Sequence, residues 1–345
     1  MALTKKIEGS PLGPVTWVYG ALPTAFLGDG VQVGDTIITQ SDGAAFVVDA
    51  NHALVAVGSF GAQQSGATFY VDGATGVNTN DGLSWAKPVL TITYALSLCT
   101  TNKGDKIIVR PGTYSENVSV TKNKISIIAA VPSGNSKRVV VSAAAGKALT
   151  LSQVTGFFAK GISFYAAASD AVLTDGEGSL FVDCDFRSDG GSGFVFFANT
   201  DNDFTGSGTI LYNCLIRECS SATGAILSKK GGPTASDPGY GLQATNVNIW
   251  GCQFYTNTGP DIADDAGTET PTYFNQWEIS GNKFMTKNKA TYLDMDTGNG
   301  TDCLISANYF ADAAFELTTA VKLPSGAMMV GNYATGGTGA IINAV

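Results

Sequence analysis

The stretch Glu278-Ile279-Ser280-Gly281-Asn282-Lys283-Phe284, EISGNKF, sets two large apolar side chains, Ile279 and Phe284, an odd number of positions apart. In one continuous strand they would face opposite sides, because successive side chains alternate. The same phrase recurs in LISANYF (Ile305, Asn308, Phe310), MMVGNYA (Met329, Asn332, Ala334) and NIWGCQF (Ile249, Cys252, Phe254). It recurs again in ILYNCLI (Leu211, Cys214, Ile216) and LFVDCDF (Phe181, Cys184, Phe186). FAKGISF (Ala159, Ile162, Phe164) and VSVTKNKI (Val120, Asn123, Ile125) are weaker copies. Just before the Asn or Cys stand Gly281, Ala307, Gly331, Gly251, Asn213, Asp183, Gly161 and Lys122. Most of these are Gly, Asn or Asp, the residues that tolerate a positive φ. The pattern therefore predicts a corner: one strand ends, the chain bends within two residues, and a second strand begins.

A recurring strand-corner-strand unit is the mark of a solenoid. The shortest corner spacings, from 162 to 184 and from 308 to 332, suit one coil of a right-handed parallel β-helix. Longer spacings then hold loop insertions, and the step from 123 to 162 hides a degenerate coil around RVVVSAAAGKALTL. Stacked coils bring successive corners about 4.8 Å apart. Asn282, Asn308 and Asn332 are thus expected to form an inward amide ladder, continued by Cys184, Cys214 and Cys252 as an apolar one. An unpartnered buried Asn costs on the order of 1–3 kcal/mol, so the pattern makes sense only with neighbouring coils. The competing arrangement, hairpin turns in a β-sandwich, would not repeat one corner chemistry in parallel register.

Composition agrees with a β-rich chain. Gly occurs 42 times, and charged residues make up only 14% of the 345, too few for extended charged helices. The net charge of −9 argues against nucleic acid or an anionic membrane as partner. MALTKKIEGSPLGP lacks the apolar core of a signal peptide, and no apolar run reaches membrane-spanning length, so synthesis in a cytoplasm is expected. Cys99, Cys184, Cys214, Cys219, Cys252 and Cys303 show no CxxC spacing and read as buried thiols.

A β-helix needs a plug at its end. LTITYALSLCTTNKGD places Ile92, Ala95, Leu96 and Cys99 on one helical stripe, with Pro88 before it and Gly104 after it. This predicts a capping helix over the first coil. The region from Tyr70 to Val118 resembles the opening of the pectin-lyase-like superfamily of right-handed parallel β-helices. The resemblance rests on Tyr70-Val71-Asp72, Asn80-Asp81-Gly82, Pro88, Thr91-Ile92, Gly104-Asp105, Pro111-Gly112 and Tyr114. It implies the fold for about residues 68–345 and leaves function open, because the superfamily holds lyases, glycosidases, adhesins and bacteriophage head or tail proteins.

Residues 1–65 read differently, as short β-strands between Gly/Asp turns ending in the linker-like GAQQSGA. The expected organisation is an N-terminal β module, 1–65, followed by a capped β-helix, 66–345. A small module ahead of a β-helix resembles bacteriophage virion proteins, in which the front segment docks onto the particle. That resemblance implies major capsid or tail proteins as partners, and assembly in the host cytoplasm.

Candidate chemistry is sparse. His52, the one histidine, has no nearby Cys, Ser or metal partner in sequence, which argues against a Ser-His-Asp triad or a histidine metal site. Arg187 and Arg217 follow corner motifs without a matching acidic calcium track. A glycosidase needs two carboxyl groups about 5–9.5 Å apart, and Asp183 with Asp185 is the best local pair. In later coils those positions hold Asn213 and Leu215, then Gly251 and Gln253, so no acidic cleft continues. Asp201-Asn202-Asp203 and Asp261 to Asp265 are loop acids. Asp294, Asp296 and Asp302 in DMDTGNGTD approach a calcium loop, but Gly298 stands where a ligand belongs and Asn299 where glycine belongs. No cofactor is expected.

The outward rows before the corner are unusually apolar: Val182, Tyr212 and Trp250, with Leu180, Ile210, Leu304 and Met328 one row earlier. Such a face is expected to be covered by the insertions (217–246 and 255–276) or packed against sister subunits in a homotrimer. The leading expectation is a non-enzymatic virion protein, a capsid decoration protein in preference to a tail spike, since the last corner lies close to Val345. The alternatives are a tailspike-like polysaccharide hydrolase or lyase, and a carbohydrate-binding protein that contacts host glycan through Trp250.

Overall fold

The computed structural model describes residues 66–131, 138–197, 206–229, 244–264, 274–286, 289, 291–295, 302–311, 321–322 and 327–335, together with five earlier strands. Those strands are Lys5–Ile7, Thr16–Tyr19, Thr36–Thr39, Ala44–Val48 and Leu54–Ser59, paired in chain order. The second and third run parallel and the other pairs antiparallel. Met1–Gly66 and Ala67–Val345 are two compact units.

The second unit is a right-handed parallel β-helix. Three sheets of 10, 9 and 8 described strands run along it, all paired parallel; eight successive coils each contribute one strand to each sheet, Thr68–Val71 precedes them in sheet one, and a ninth coil follows in sheets one and two. The seventh coil shows the pattern: Glu278–Ser280 in sheet one, Lys283–Phe284 in sheet two and Leu293–Asp294 in sheet three. Ile279 and Phe284 are both fully buried, because the chain turns between them.

That turn is made by a left-handed residue in every coil from Gly161 onward. Gly161, Asp183, Asn213, Gly251, Gly281, Ala307 and Gly331 have φ between 52° and 71°. The backbone N–H groups of the first six reach the next coil, as from Gly281 to the Ser306 carbonyl at 3.0 Å. The side chain that follows points inward. Asn282 Nδ2 donates to the Ile249 carbonyl at 2.8 Å and to Asn308 Oδ1 at 3.0 Å. Asn308 repeats this with Ile279 and Asn332, and Asn332 Nδ2 reaches the Ile305 carbonyl. The thiols carry the same donor pattern: Cys252 Sγ to Leu211, Cys214 to Phe181 and Cys184 to Ala159 carbonyls. Cys214 N–H in turn donates to Cys252 Sγ at 3.4 Å, so the cysteines form part of the hydrogen-bonded ladder as well as filling space.

Asn123 is a correction. It lies between sheets three and one, before Lys124, whose φ is 58°. The coil hidden in RVVVSAAAGKALTL supplies Val139–Ala143 and Leu149–Leu151 instead. Lys124 opens a second left-handed column, with Gly156, Gly178, Gly208, Asn246, Gln276 and Asp302, at the return to sheet one.

Inside the tube, apolar side chains stack on their own kind. Phe254, Phe284 and Phe310 lie in one file with ring centroids 4.7 Å apart and planes within 15°. At the N-terminal end, helix α1 (Ile92–Leu98) buries Ile92, Ala95 and Leu96 against the first coil. The coil also holds its two ends. Glu116 Oε1 and Oε2 accept the N–H groups of Ile92 and Thr93 at 3.0 and 2.8 Å, while Lys122 Nζ binds the carbonyls of Leu96, Ser97 and Cys99. A carboxylate at the N-terminus and an ammonium at the C-terminus match the helix dipole.

Candidate functional surface

Asp183 and Asp185 come from the same corner and line one shallow depression of about 250 Å³ on the outer surface. The left-handed Asp183 accepts a bond from Asn213 Nδ2 at 2.6 Å. Asp185 lies on sheet two, 8% exposed, and accepts from Arg138 Nη1 at 2.5 Å and Ser163 Oγ at 3.1 Å. Arg217 grips it through both Nε and Nη2, at 3.1 and 3.0 Å. Two guanidinium groups and a hydroxyl fill its acceptor positions.

The pairing continues along the outer rows of sheet two. Arg217 bonds Glu218, Glu218 bonds Arg187 at 2.9 Å, and Arg187 bonds Asp189 at 3.2 Å. Tyr165 closes the chain, donating to Asp189 Oδ2 at 2.7 Å beneath the Arg187 guanidinium. Hydrogen bonding to Asp189 and burial together push the Tyr165 hydroxyl up. Thus Arg187 and Arg217, noted in the sequence for lacking a calcium track, belong to a surface charge chain. Its assembly was not readable: Arg138 and Asp185 are 47 positions apart across loop insertions.

The remaining acids scatter. Asp294 is in sheet three, opposite Ala263 and Lys322, and Asp302 is a left-handed corner residue at φ 60°. Asp296, His52 and Asp201 to Asp203 lie outside the described residues, as does Asp265. Among the described residues no group of three or more His, Cys, Asp or Glu side chains is placed to hold a metal. Asp175 and Glu177, not singled out in the sequence, sit at the return corner, where burial pushes both carboxyls up. Asp261 is fully buried against Lys289.

On the outer face of sheet one, Leu180, Val182, Ile210 and Trp250 are half-buried and Tyr212 is 50% exposed. The Trp250 indole N–H is buried with no acceptor from the described residues. The rows do not stay apolar: Asn248, Glu278, Ser280 and Ser306 interrupt them. A second apolar group follows at Leu304, Met328 and Val330, beside the stacked rings of Tyr309 and Tyr333. The insertions after Arg217 and Tyr255 fall partly outside the described residues. Among the described residues no helix is long and apolar enough to cross a membrane.

No protein-family model and no curated protein matches the chain. Solved structures do. Pectate lyase Pel9A superposes with a TM-score of 0.52 at 14% identity, over 81% of this chain and 78% of its own. An alginate lyase from Paenibacillus sp. str. FPU-7 gives 0.45 at 14% identity, over 73% and 96%. ORF18 of Geobacillus virus E2 gives 0.41 at 14% identity, over 90% and 72%. At these identities the likeness is one of fold alone, a parallel β-helix.

Proposed function

We propose that this β-helix is a non-enzymatic structural protein of a bacteriophage virion, a capsid decoration or similar particle-attached protein. In this reading residues 1–65 dock on a capsid or tail protein, and copies of the β-helix associate as a homotrimer. The observation that carries it is the apolar group Leu180, Val182, Ile210, Tyr212 and Trp250 on the outside of sheet one. Contiguous apolar side chains of this kind gain by contact with another protein surface. The best candidate acids meanwhile are engaged by Asn213 and by arginines.

Two measurements test the reading. Light scattering of the purified chain should give a mass above that of the monomer, reduced by Tyr212→Glu. Immunogold labelling of assembled particles should decorate the head. A monomer at every concentration, together with unlabelled particles, would sink the proposal.

The depression beside Asp183 supports a second reading, a glycan-binding or polysaccharide-cleaving surface. Asn213, Gln253, Ser163 and Arg138 line it and offer hydrogen bonds suited to hydroxyl groups. New reducing ends or unsaturated products from host capsule, lost in Asp183→Asn or Asp185→Asn, would establish it over the first.

A further inference from the structure

Asp261 and Lys289 meet inside the tube rather than on its surface. Asp261 begins the sheet-three segment of the sixth coil, beside Ile262–Asp264, and Lys289 precedes Leu293–Asp294 of the seventh. Their side chains are 0% and 5% exposed, and Lys289 Nζ lies 2.6 Å from Asp261 Oδ1. Asn257 Nδ2 donates to the same Oδ1 at 2.9 Å. Asn257 is itself fixed: its Oδ1 accepts the Cys219 N–H at 3.1 Å, and its Nδ2 also reaches the Ile216 carbonyl. Asp261 Oδ2 is buried with no hydrogen-bond partner among the described residues.

This arrangement is costly as an ion pair. Two opposite charges taken out of water lose several kcal/mol of hydration each unless every remaining polar atom is satisfied, and Oδ2 is not. Burial pushes the Asp261 carboxyl up and the Lys289 amine down, so both shifts favour the neutral pair. A desolvated, neutral lysine is a nucleophile. Nζ, 2.6 Å from Oδ1, is already held against the carboxyl group it would attack, the proximity that such a condensation requires.

We infer that Lys289 and Asp261 form an intramolecular isopeptide bond that covalently joins the sixth and seventh coils. A proton from the ammonium ends on Oδ2, leaving a neutral amine and a carboxylic acid whose carbonyl oxygen is Oδ1. Nζ then attacks Cγ, and the negative charge that develops on Oδ1 is met by the Asn257 amide. The Cγ–Oδ2 bond breaks as Oδ2 takes the second proton from Nζ. The products are one amide, whose carbonyl oxygen is Oδ1, and one water. Oxidation states are unchanged, so no co-reactant is required. Asn257 acts as a positioning residue and oxyanion donor, and the buried setting keeps competing water away from the carbon.

Intact mass spectrometry of the full chain under denaturing conditions decides the matter. The expected species is lighter than the sequence mass by one water, and its proteolytic map contains a branched peptide joining the segments around 261 and 289. The map is essential, because succinimide formation at Asp-Gly pairs such as Asp72-Gly73 or Asp81-Gly82 removes the same mass. Lys289→Arg keeps the charge and should retain the full mass. Asp261→Asn should lose ammonia in place of water while giving the same branched peptide. Asn257→Ala should slow the appearance of the lighter species at least tenfold when freshly folded protein is followed in time. An unmodified wild-type mass after prolonged incubation at neutral pH, or a water loss mapped only to Asp-Gly sites, overturns the inference. The wild-type map alone is decisive if a variant fails to fold.

Discussion

Asn308 Oδ1 accepts two bonds from Asn282, one from its side-chain amide at 3.0 Å and one from its backbone N–H at 2.9 Å. One oxygen therefore joins two coils through both main chain and side chain. Asn308→Ala leaves the Asn282 N–H and the Ile279 carbonyl buried without these bonds. The expected loss is about 2–4 kcal/mol, read as a lower urea midpoint. Asn308→Cys should cost less, because Cys252 already fills that role for Cys214. Equal losses for the two variants would show that the ladder acts only by filling space.

Ala307 holds φ 53° in a column otherwise made of Gly, Asp and Asn. A left-handed L-residue with a methyl side chain is strained by roughly 1–2 kcal/mol, only partly offset by the greater chain entropy of glycine when unfolded. Ala307→Gly should raise stability by about 0.5–1 kcal/mol in the same titration. A lower midpoint would contradict this reading of the corner.

Helix α1 is secured at both ends by the first coil, so Lys122→Met and Glu116→Gln should each loosen it. Each should cost about 1 kcal/mol, with faster amide exchange confined to residues 92–99. Exchange that spreads evenly over all coils would refute a local clamp.

Asp72 carries an acid-dependent contribution. Burial alone would push its carboxyl up, but bonds from Thr75, Ala74 and Arg110 hold it down, from 3.8 to about 2. The folded value lies below the unfolded one. The added stability is therefore fully present above about pH 4 and fades as pH falls through about 2. Asp72→Asn should flatten the stability profile between pH 4 and 2 relative to wild type. Identical slopes would remove Asp72 as a cause of acid sensitivity.

The corner before each inward amide or thiol was legible because its chemistry is narrow. Gly281, Gly331, Asn213 and Asp183 occupy positions where most side chains strain the backbone, and each is followed by a small polar or thiol group that needs a neighbour. The return corner was not legible. Lys124, Gln276 and Asp302 adopt the same left-handed geometry, but the residues after them, Ile125, Trp277 and Cys303, share no side-chain chemistry, so Asn123 reads in sequence as a member of the first column. The charge chain around Asp185 and the buried Asp261–Lys289 pair depend on residues 47 and 28 positions apart. Coil length varies with the insertions, so spacing alone cannot align such partners. The apolar outward rows followed from alternation, but their interruption at Glu278, Ser280 and Ser306 required the register between coils.

Each described strand of the β-helix pairs only with the coil above and the coil below. Tension applied along the axis would thus load one inter-coil seam at a time, and the chain should peel in discrete steps, giving a sawtooth in a single-molecule pulling trace. A seam reinforced between the sixth and seventh coils would divide that trace into two runs, with the covalent junction as a stop that force alone does not open.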